Sequence, residues 1–275
     1  MTRPGATTYF FEPGGTPLLL SIPHAGTFVP EEIQAHFSTA GLALPDTDWH
    51  LERLYDFARA YNVNLLIASC SRYVIDLNRP PDDTPLYTGP TTGLCPTRLF
   101  DGRPLYRPGH TPDASEIRQR LETYWLPYHT RLRETIDALR RRFGFAVVYD
   151  AHSICAEIPT LFDGVLPDFN LGTNEGLSTA ASLAHQVYSV CKTAGPRFSA
   201  VENGRFTGGY ITRHYGQPAQ GVHALQMELG QRTYMDENPP YTFRTDQALA
   251  LQPILEAVFA TILDWCEARR QTNNP

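Results

Sequence analysis

Lysine is almost missing from this sequence, and its positive charge comes nearly entirely from arginine. Lys192 is the single lysine among 23 basic residues, which argues against Schiff-base or general-base chemistry by lysine. The 29 acidic residues outnumber the basic ones, and the net charge is -6. A protein with this balance has no general positive field with which to hold nucleic acid, so we expect no nucleic-acid partner.

Paired cysteines and long apolar segments are missing as well. The five cysteines are widely spaced, odd in number and include no C-x-x-C pair, which is typical of a reduced intracellular protein. No apolar run approaches the ~18 residues of a membrane span. The opening segment, MTRPGATTYFFEPGG, has no apolar core of signal-peptide length. These features predict a cytoplasmic protein without a membrane partner.

Short apolar runs alternate with helical patterns, which predicts an α/β fold in one domain over residues 1–275. Such alternation favours a largely parallel central sheet with helices on both faces. The predicted strands are 18–22, 64–68, 73–77, 145–150, 169–172 and 222–229. The predicted helices are 48–60, 114–142, 178–193 and 247–270. Residues 79–112 have no helical period and are rich in Pro, Gly and Thr, so we expect a long loop of the kind that often serves function.

Polar side chains follow three of the predicted strands, at the end where parallel sheets bind ligands. LLLSIPHAG places His24 beyond one strand, VVYDAHS places Asp150 and His152 at another, and VHALQMELGQ places Glu228 at a third. Zinc binds imidazole nitrogen and carboxylate oxygen, and a carboxylate that does not bind the metal can act as a base. Each residue alone is more typical of a structural hydrogen bond or ion pair. Their joint placement predicts a divalent metal site.

Arginines beside polar residues form a second pattern. Arg72, Asn78 and Arg79 flank the apolar part of SRYVIDLNR, and Arg213 follows glycines in FTGGYITR. An arginine fork can hold a carboxylate through two parallel hydrogen bonds, and Arg213 could instead stabilise a developing oxyanion. A surface ion pair and a glycine-rich turn with an exposed arginine are the alternative interpretations of these two motifs.

Six motifs in order make the sequence resemble the N-formylglutamate amidohydrolase family. They are SIPHAG, DTDWHLERLY, SRYVIDLNRPPDD, YDAHS, FTGGYITRHYG and ALQMEL, and together they cover most of the chain. The resemblance implies a mixed sheet with helices on both faces, a phosphorylase/hydrolase-like fold similar to zinc carboxypeptidases and the aspartoacylase group. It also implies a divalent metal, with zinc favoured, and hydrolysis of N-formyl-L-glutamate to L-glutamate and formate in histidine degradation.

The metal ligands follow from the resemblance position by position. His24 and His152 match the metal histidines of the family. Zinc carboxypeptidases have a glutamate three residues after the first histidine, but Thr27 stands there in this sequence. Asp48 matches the acidic position of the family, so the resemblance implies Asp48 as the third ligand, with Asp46 as the alternative.

The remaining roles are implied in the same way. Glu228 matches the general base, and Arg213 is a further catalytic candidate. Asp150 is expected to hold His152 in its ligating tautomer, with Ser153 also supporting the site. The residues expected to bind the substrate carboxylates are Arg72, Asn78, Arg79 and Arg213.

Two other functions remain open from the sequence. One is a metal-dependent deacylase or carboxypeptidase that acts on another N-acyl amino acid or a peptide. The other is a non-catalytic, metal-independent protein that binds acidic metabolites through the arginines alone. The oligomeric state is not predicted.

Overall fold

Seven strands form one sheet in the computed structural model, which describes residues 8–272 with the exception of 87 and 90. The strands are β1 (Tyr9–Glu12), β2 (Leu18–Ile22), β3 (Asn64–Ala68), β4 (Ala146–Ile154), β5 (Phe169–Gly172), β6 (Ala200–Glu202) and β7 (Val222–Gly230). The sheet order is β1-β3-β2-β4-β7-β5-β6. Strands β3, β2, β4 and β7 run parallel to one another. Strand β1 runs antiparallel to β3, β5 runs antiparallel to β7, and β6 runs parallel to β5.

Helices cover both faces of this sheet, which confirms the predicted fold class. Helices α5 and α7 pack with one apolar core, and α4 packs with a second core on the opposite face. The helices are α1 (Glu31–Gln34), α2 (Leu51–Leu54), α3 (Ala114–Arg120), α4 (Leu126–Phe143), α5 (Ala181–Lys192), α6 (Tyr210–Tyr215) and α7 (Thr245–Thr272).

The alternation of side chains along β4 and β7 creates a polar patch inside the fold. On the face toward α4, the two strands begin with Ala146 and Val222 and continue with Val148 and Ala224, which all belong to the second core. Every second residue of a strand lies on the same face. Further along the two strands, this face carries Asp150, His152 and Glu228, which are all buried. The second core therefore gives way to buried polar groups toward the carboxyl ends of the strands.

Two predicted elements are wrong. The segment predicted as a helix at 48–60 contains only α2 and a 3₁₀ segment, Asp56–Tyr61. The left-handed backbone of His50 (φ 64°) directly before Leu51 keeps residues 48–50 out of the helix. The strand predicted at 73–77 is a buried turn region whose amides bond within the loop; the Asp76 N–H, for example, donates to Leu94 O at 2.7 Å. An apolar run alone does not distinguish a buried loop from a strand.

The helix predicted at 114–142 is present with a change of pitch before Pro127. The Asp113 side chain accepts hydrogen bonds from the first-turn amides of α3. A π-helical turn, Leu121–Trp125, then joins α3 to α4. Pro127 lies in the first turn of α4, where its missing N–H removes little helical hydrogen bonding.

The chain between β3 and α3 contains no helix or strand among its described residues. It crosses the second core in turns and isolated bridges, one of which pairs Arg98 with Pro104. The long irregular segment anticipated at 79–112 lies inside this stretch. Its beginning runs beside the carboxyl ends of β2 and β4, where the buried polar groups are.

Helix α7 is long and apolar enough to cross a membrane by length and composition, which the sequence analysis did not anticipate. In this structure its residues Leu251, Leu255, Val258 and Phe259 are fully buried in the first core. Of the apolar window of α7, 33% is buried, so the helix packs against the core along one side.

Candidate metal centre and active site

Two histidines far apart in the sequence meet a carboxylate at the carboxyl ends of β2 and β4. His24 follows β2, His152 lies in β4, and Asp48 precedes α2. Asp48 Oδ2 lies 3.3 Å from His152 Nδ1 and 3.9 Å from His24 Nδ1. One ligand atom from each of the three residues lies within 4.8 Å of the others, and all three residues are buried. This group could bind a metal ion.

The hydrogen bonds of the two rings leave the Nδ1 atoms as the ligands. His24 Nε2 donates to Asp76 Oδ1 at 2.7 Å, and His152 Nε2 donates to Asp150 Oδ2 at 2.9 Å. A ring that carries its proton on Nε2 keeps a lone pair on Nδ1. Both lone pairs therefore face Asp48, and Asp150 lies where the sequence analysis expected a supporting residue.

Two buried polar atoms at this centre have no hydrogen-bond partner within the described part of the chain: His24 Nδ1 and Asp48 Oδ1. Burial of unsatisfied polar atoms is costly, and a cation would satisfy both. The other carboxylate oxygen, Asp48 Oδ2, accepts a hydrogen bond from Ser153 N at 3.1 Å. Two imidazoles and one carboxylate form a donor set that suits zinc with an open position.

The charges around the centre also favour a cation. Burial and Arg72 lower the pKa of His24, so this ring is neutral and keeps its lone pair. Burial alone would lower the pKa of His152, but Asp150 and Asp48 raise it well above its usual value. The carboxylates that favour a proton on His152 equally favour a metal ion in place of that proton.

Asp46, the alternative third ligand, has a different set of contacts. Its Oδ2 accepts hydrogen bonds from Tyr73 Oη at 2.6 Å and from Phe100 N at 2.8 Å. Burial raises the pKa of Asp46 to about 6. This carboxyl group holds the long loop, and it is Asp48 that the structure groups with the two histidines.

Glu228 lies on β7 directly beside His152 on β4, because the two residues are register partners in the parallel pair. Gln226 Nε2 donates to Glu228 Oε2 at 3.2 Å. Burial, and then the charge of Asp48, raise the pKa of Glu228 to about 8, against the opposing effect of His152. A carboxyl group whose pKa is near neutrality can both accept a proton and return it.

A cavity of about 60 Å³ opens beside the metal centre. Phe100, Ile154, Leu161 and Phe206 form its apolar wall. The larger polar side chains that line it are His24, Arg72, Asp76, Asn78, Arg79, His152, Arg205, Gln226 and Glu228. The cavity therefore brings together two of the expected ligands, the expected base and three arginines.

Two of the predicted arginines line this cavity in different ways. Arg72 is ion-paired with Asp76 at 2.9 Å and lies 3.6 Å from Asp48, so its guanidinium is held against the metal centre. Arg79 donates from Nη2 to Thr92 Oγ1 at 3.3 Å. The indole N–H of Trp125 donates to the backbone oxygen of Arg79 at 3.0 Å, which fixes the chain at the start of the long loop.

The third predicted arginine, Arg213, is not among the described residues that line the cavity. Its Nε donates to Gly208 O at 2.7 Å and its Nη2 donates to Thr207 Oγ1 at 2.9 Å. The structure thus places Arg213 against its own glycine-rich turn. Arg205, from the same stretch of sequence, lines the cavity instead.

Asn78 connects the cavity wall to the groups behind His152. Its Nδ2 donates to Asp150 Oδ2 at 3.0 Å, and its Oδ1 accepts from Ile211 N at 2.8 Å. The backbone of Gly209 lies directly against this side chain, so an added Cβ at Gly209 would be 2.4 Å from Asn78 Nδ2. Glycine is the residue that permits this close approach.

We therefore expect Gly209→Ala to lower kcat/KM by about tenfold to a hundredfold, since small misplacements of positioning groups are costly. The added methyl group would displace Asn78 and disturb its bond to Asp150. Steady-state kinetics beside thermal unfolding measures the effect. Gly89→Ala is the matched control, because a Cβ there meets no atom within 4 Å and, as at Gly209 (φ -82°), the backbone is not left-handed. Equal kinetics in the two variants would contradict the proposed role of this contact.

Three site residues were not identified from the sequence: Asp76, Arg205 and Gln226. Asp76 lies inside the SRYVIDLNR motif, and its alignment with His24 depends on a turn that was predicted as a strand. Gln226 precedes Glu228 by two residues, so the strand alternation of ALQMEL was a usable signal. The only sequence signal for Arg205 was that it precedes the glycines of FTGGYITR, and the sequence analysis connected those glycines with Arg213 instead.

A buried ion-binding group with a carboxyl base beside it defines a candidate metal-dependent hydrolase site. The family model described as N-formylglutamate amidohydrolase matches residues 16–235. The chain belongs to the N-formylglutamate amidohydrolase family. N-formylglutamate deformylase from Pseudomonas aeruginosa is 51% identical over 94% of this chain and 97% of that protein. The Pseudomonas putida deformylase is 49% identical over 95% of this chain and 97% of that protein.

Solved structures agree on the fold. A crystal structure of N-formylglutamate amidohydrolase from Ralstonia eutropha superposes with a TM-score of 0.80 at 24% identity, covering 96% of this chain and 99% of that one. A protein from Agrobacterium tumefaciens superposes with a TM-score of 0.71 at 18% identity, covering 94% and 96% of the two chains. The mixed sheet with helices on both faces is therefore shared with these proteins.

Proposed function

We propose that this chain hydrolyses N-formyl-L-glutamate to L-glutamate and formate. A divalent ion, with zinc preferred, would be held by His24, Asp48 and His152. The observation that carries the proposal is one cavity that joins this group to Glu228 and to three arginines. The curated relatives at about half identity are named for the same reaction. A cytoplasmic location stays a prediction from the sequence.

The chemistry of the proposed reaction is divided among a few groups. When bound, a divalent ion supplies Lewis-acid chemistry that polarises a carbonyl group and makes water more acidic. Glu228 accepts the proton of the attacking water and later gives it to the leaving amine of glutamate. Arg72, buried beside Asp48, donates to the oxygen of the formyl group as negative charge develops on it. Asp76 and Asp150 keep His24 and His152 in the ligating tautomer.

The substrate is held by the charged wall of the cavity. Arg79 offers a fork for one carboxylate. Asn78 Nδ2 lies 3.0 Å from Asp150 Oδ2 and 2.8 Å from His152 Nε2, so a contact of Asn78 with the substrate carboxylate stays a prediction from the sequence. The catalytic role of Arg213 stays a prediction from the sequence; in this structure its guanidinium donates to Gly208 O and Thr207 Oγ1.

Release of formate from N-formyl-L-glutamate by the purified protein tests the proposal. N-acetyl- and N-succinyl-L-glutamate should be assayed beside it at equal concentration. We expect the formyl substrate to give the highest kcat/KM. A preference for another acyl group would indicate a different deacylase, and binding without turnover of any of the three would indicate a binding protein.

Asp48→Asn and Asp46→Asn should separate the two candidates for the third ligand. Asp48→Asn removes the charged ligand between the two Nδ1 atoms, so we expect a loss of metal affinity of about 100-fold or more. Asp46→Asn changes a carboxyl group that bonds to the long loop, so the metal affinity should stay within about threefold of the wild type. Competition with a chromogenic chelator measures both affinities. The opposite order would assign Asp46 as the ligand.

A further inference from the structure

We propose that Arg205 binds the γ-carboxylate of the substrate and sets the preference for an acidic side chain. This rests on the proposed function and deepens it. N-formyl-L-glutamate has two carboxylates, and each needs a cationic partner once it leaves water. Arg72 already faces Asp76 and Asp48, and Arg213 faces its own turn. Arg79 and Arg205 are the two other arginines that line the cavity.

Arg205 lies in contact with the apolar wall of the cavity. Its Nε donates to Leu161 O at 3.1 Å, and its guanidinium lies 5.2 Å from the centre of the Phe206 ring. Arginine has five N–H donors, so this anchor is compatible with a bidentate contact to a carboxylate. Leu161, Phe206 and Ile154 also line the cavity. They provide an apolar surface for the side-chain methylenes that separate the γ-carboxylate from the reacting group.

Arg79 suits the other carboxylate. It follows Asn78, whose amide bonds to Asp150 directly behind His152. The α-carboxylate is attached to the carbon atom that bears the formamide, so it must lie near the metal whenever the formyl group does. Arg79 is thus assigned to the α-carboxylate, and Arg205, beside the apolar wall of the same cavity, to the γ-carboxylate.

The segment that carries Arg205 is held at both ends. Asn203, which has a left-handed backbone (φ 49°), bonds to β5 through its N–H and to Thr173 through its side chain. Gly209 N donates to Gln226 Oε1 on β7 at 2.7 Å. A guanidinium presented from a segment fixed in this way costs little ordering when the substrate binds.

The test compares Arg205→Gln with the wild type on two substrates that differ only at the proposed contact. N-formyl-L-glutamine replaces the γ-carboxylate by an amide. We expect Arg205→Gln to lower kcat/KM for N-formyl-L-glutamate by about 10- to 100-fold, the worth of a charged hydrogen-bonded pair. The same variant should change kcat/KM for N-formyl-L-glutamine by less than about threefold. Arg205→Lys, which keeps the charge without the fork, should lie between them.

Arg213→Gln and Arg141→Gln are assayed with the same two substrates, as the rival variant and the control. Arg141 is exposed near the end of α4, so its variant should behave as the wild type. A selective loss on N-formyl-L-glutamate in Arg213→Gln, with none in Arg205→Gln, would overturn the assignment. So would an equal loss on both substrates in Arg205→Gln, since that would indicate general damage to the site.

Binding measurements keep this test independent of turnover. In the Glu228→Gln background, isothermal titration should show N-formyl-L-glutamate bound about tenfold or more tightly than N-formyl-L-glutamine, and Arg205→Gln should remove that preference. No formate release by the wild type would refute the proposed function, while the two affinities would still decide the role of Arg205. If the Glu228→Gln protein with Arg205 intact binds the two compounds equally, the role of Arg205 is refuted and the proposed function is unaffected.

Discussion

Glu228→Gln should lower kcat by about a thousandfold while the protein keeps its metal. Glutamine has nearly the same shape but cannot accept a proton, and general-base catalysis contributes roughly 10²- to 10⁴-fold. Glu228 is not part of the group formed by His24, Asp48 and His152. Its removal should therefore affect the chemical step and leave the ligands in place.

The measurement pairs formate release with metal analysis of the same sample. Glu267→Gln is the matched control, because Glu267 is an exposed glutamate near the end of α7 whose ion pair to Arg270 is on the surface. We expect it to retain wild-type turnover and metal content. Unchanged turnover in Glu228→Gln would remove this carboxylate from the mechanism, and loss of metal in that variant would make it a ligand.

Removal of the metal should have the second large effect. We expect a chelator to reduce formate release at least about a hundredfold, because the Lewis-acid contribution of the ion is worth several kcal/mol. The metal-free protein should also unfold at a lower temperature. Asp48, Asp76 and Asp150 are buried close together, and His24 Nδ1 and Asp48 Oδ1 lack hydrogen bonds within the described chain. Ion binding to the folded state alone raises its stability.

Adding the metal back distinguishes the effect of metal loss from damage by the chelator. Adding back zinc after the chelator is removed should recover both activity and the unfolding temperature, and parallel additions of cobalt and manganese would rank the ions. His152→Ala should not recover with any of them, since it lacks one ligand. Full activity in protein whose metal content has fallen to background would contradict a metal-dependent reaction.

The parts of the fold that were predicted from the sequence are those with a strong period. Strands β2, β3 and β5 were predicted with the bounds that the structure shows, because each is a short buried run between turn residues. Strands β1 and β6 were missed, since both are short edge strands without full burial. Their pairing depends on neighbours in space that a single sequence does not reveal.

The placement of the site residues could likewise be predicted only in part. His24, His152 and Glu228 could be predicted because residues at strand ends gather at one edge of a parallel sheet. Arg213 lies in α6, whereas Arg205, which was not identified, lies in an irregular segment. There the direction of a side chain depends on individual backbone torsions such as the left-handed Asn203. No period in the sequence reports such torsions.

The register that places His152 opposite Glu228 has a consequence for how such an enzyme changes. In the proposed reaction, His152 and Glu228 are spaced by a ladder of backbone hydrogen bonds in the interior of the sheet, whereas Arg79 and Arg205 are carried by segments without regular structure. Replacements in those segments can alter which acid is accepted while bond cleavage continues undisturbed. New substrate ranges on this scaffold should therefore arise by exchanging the arginine-bearing loops.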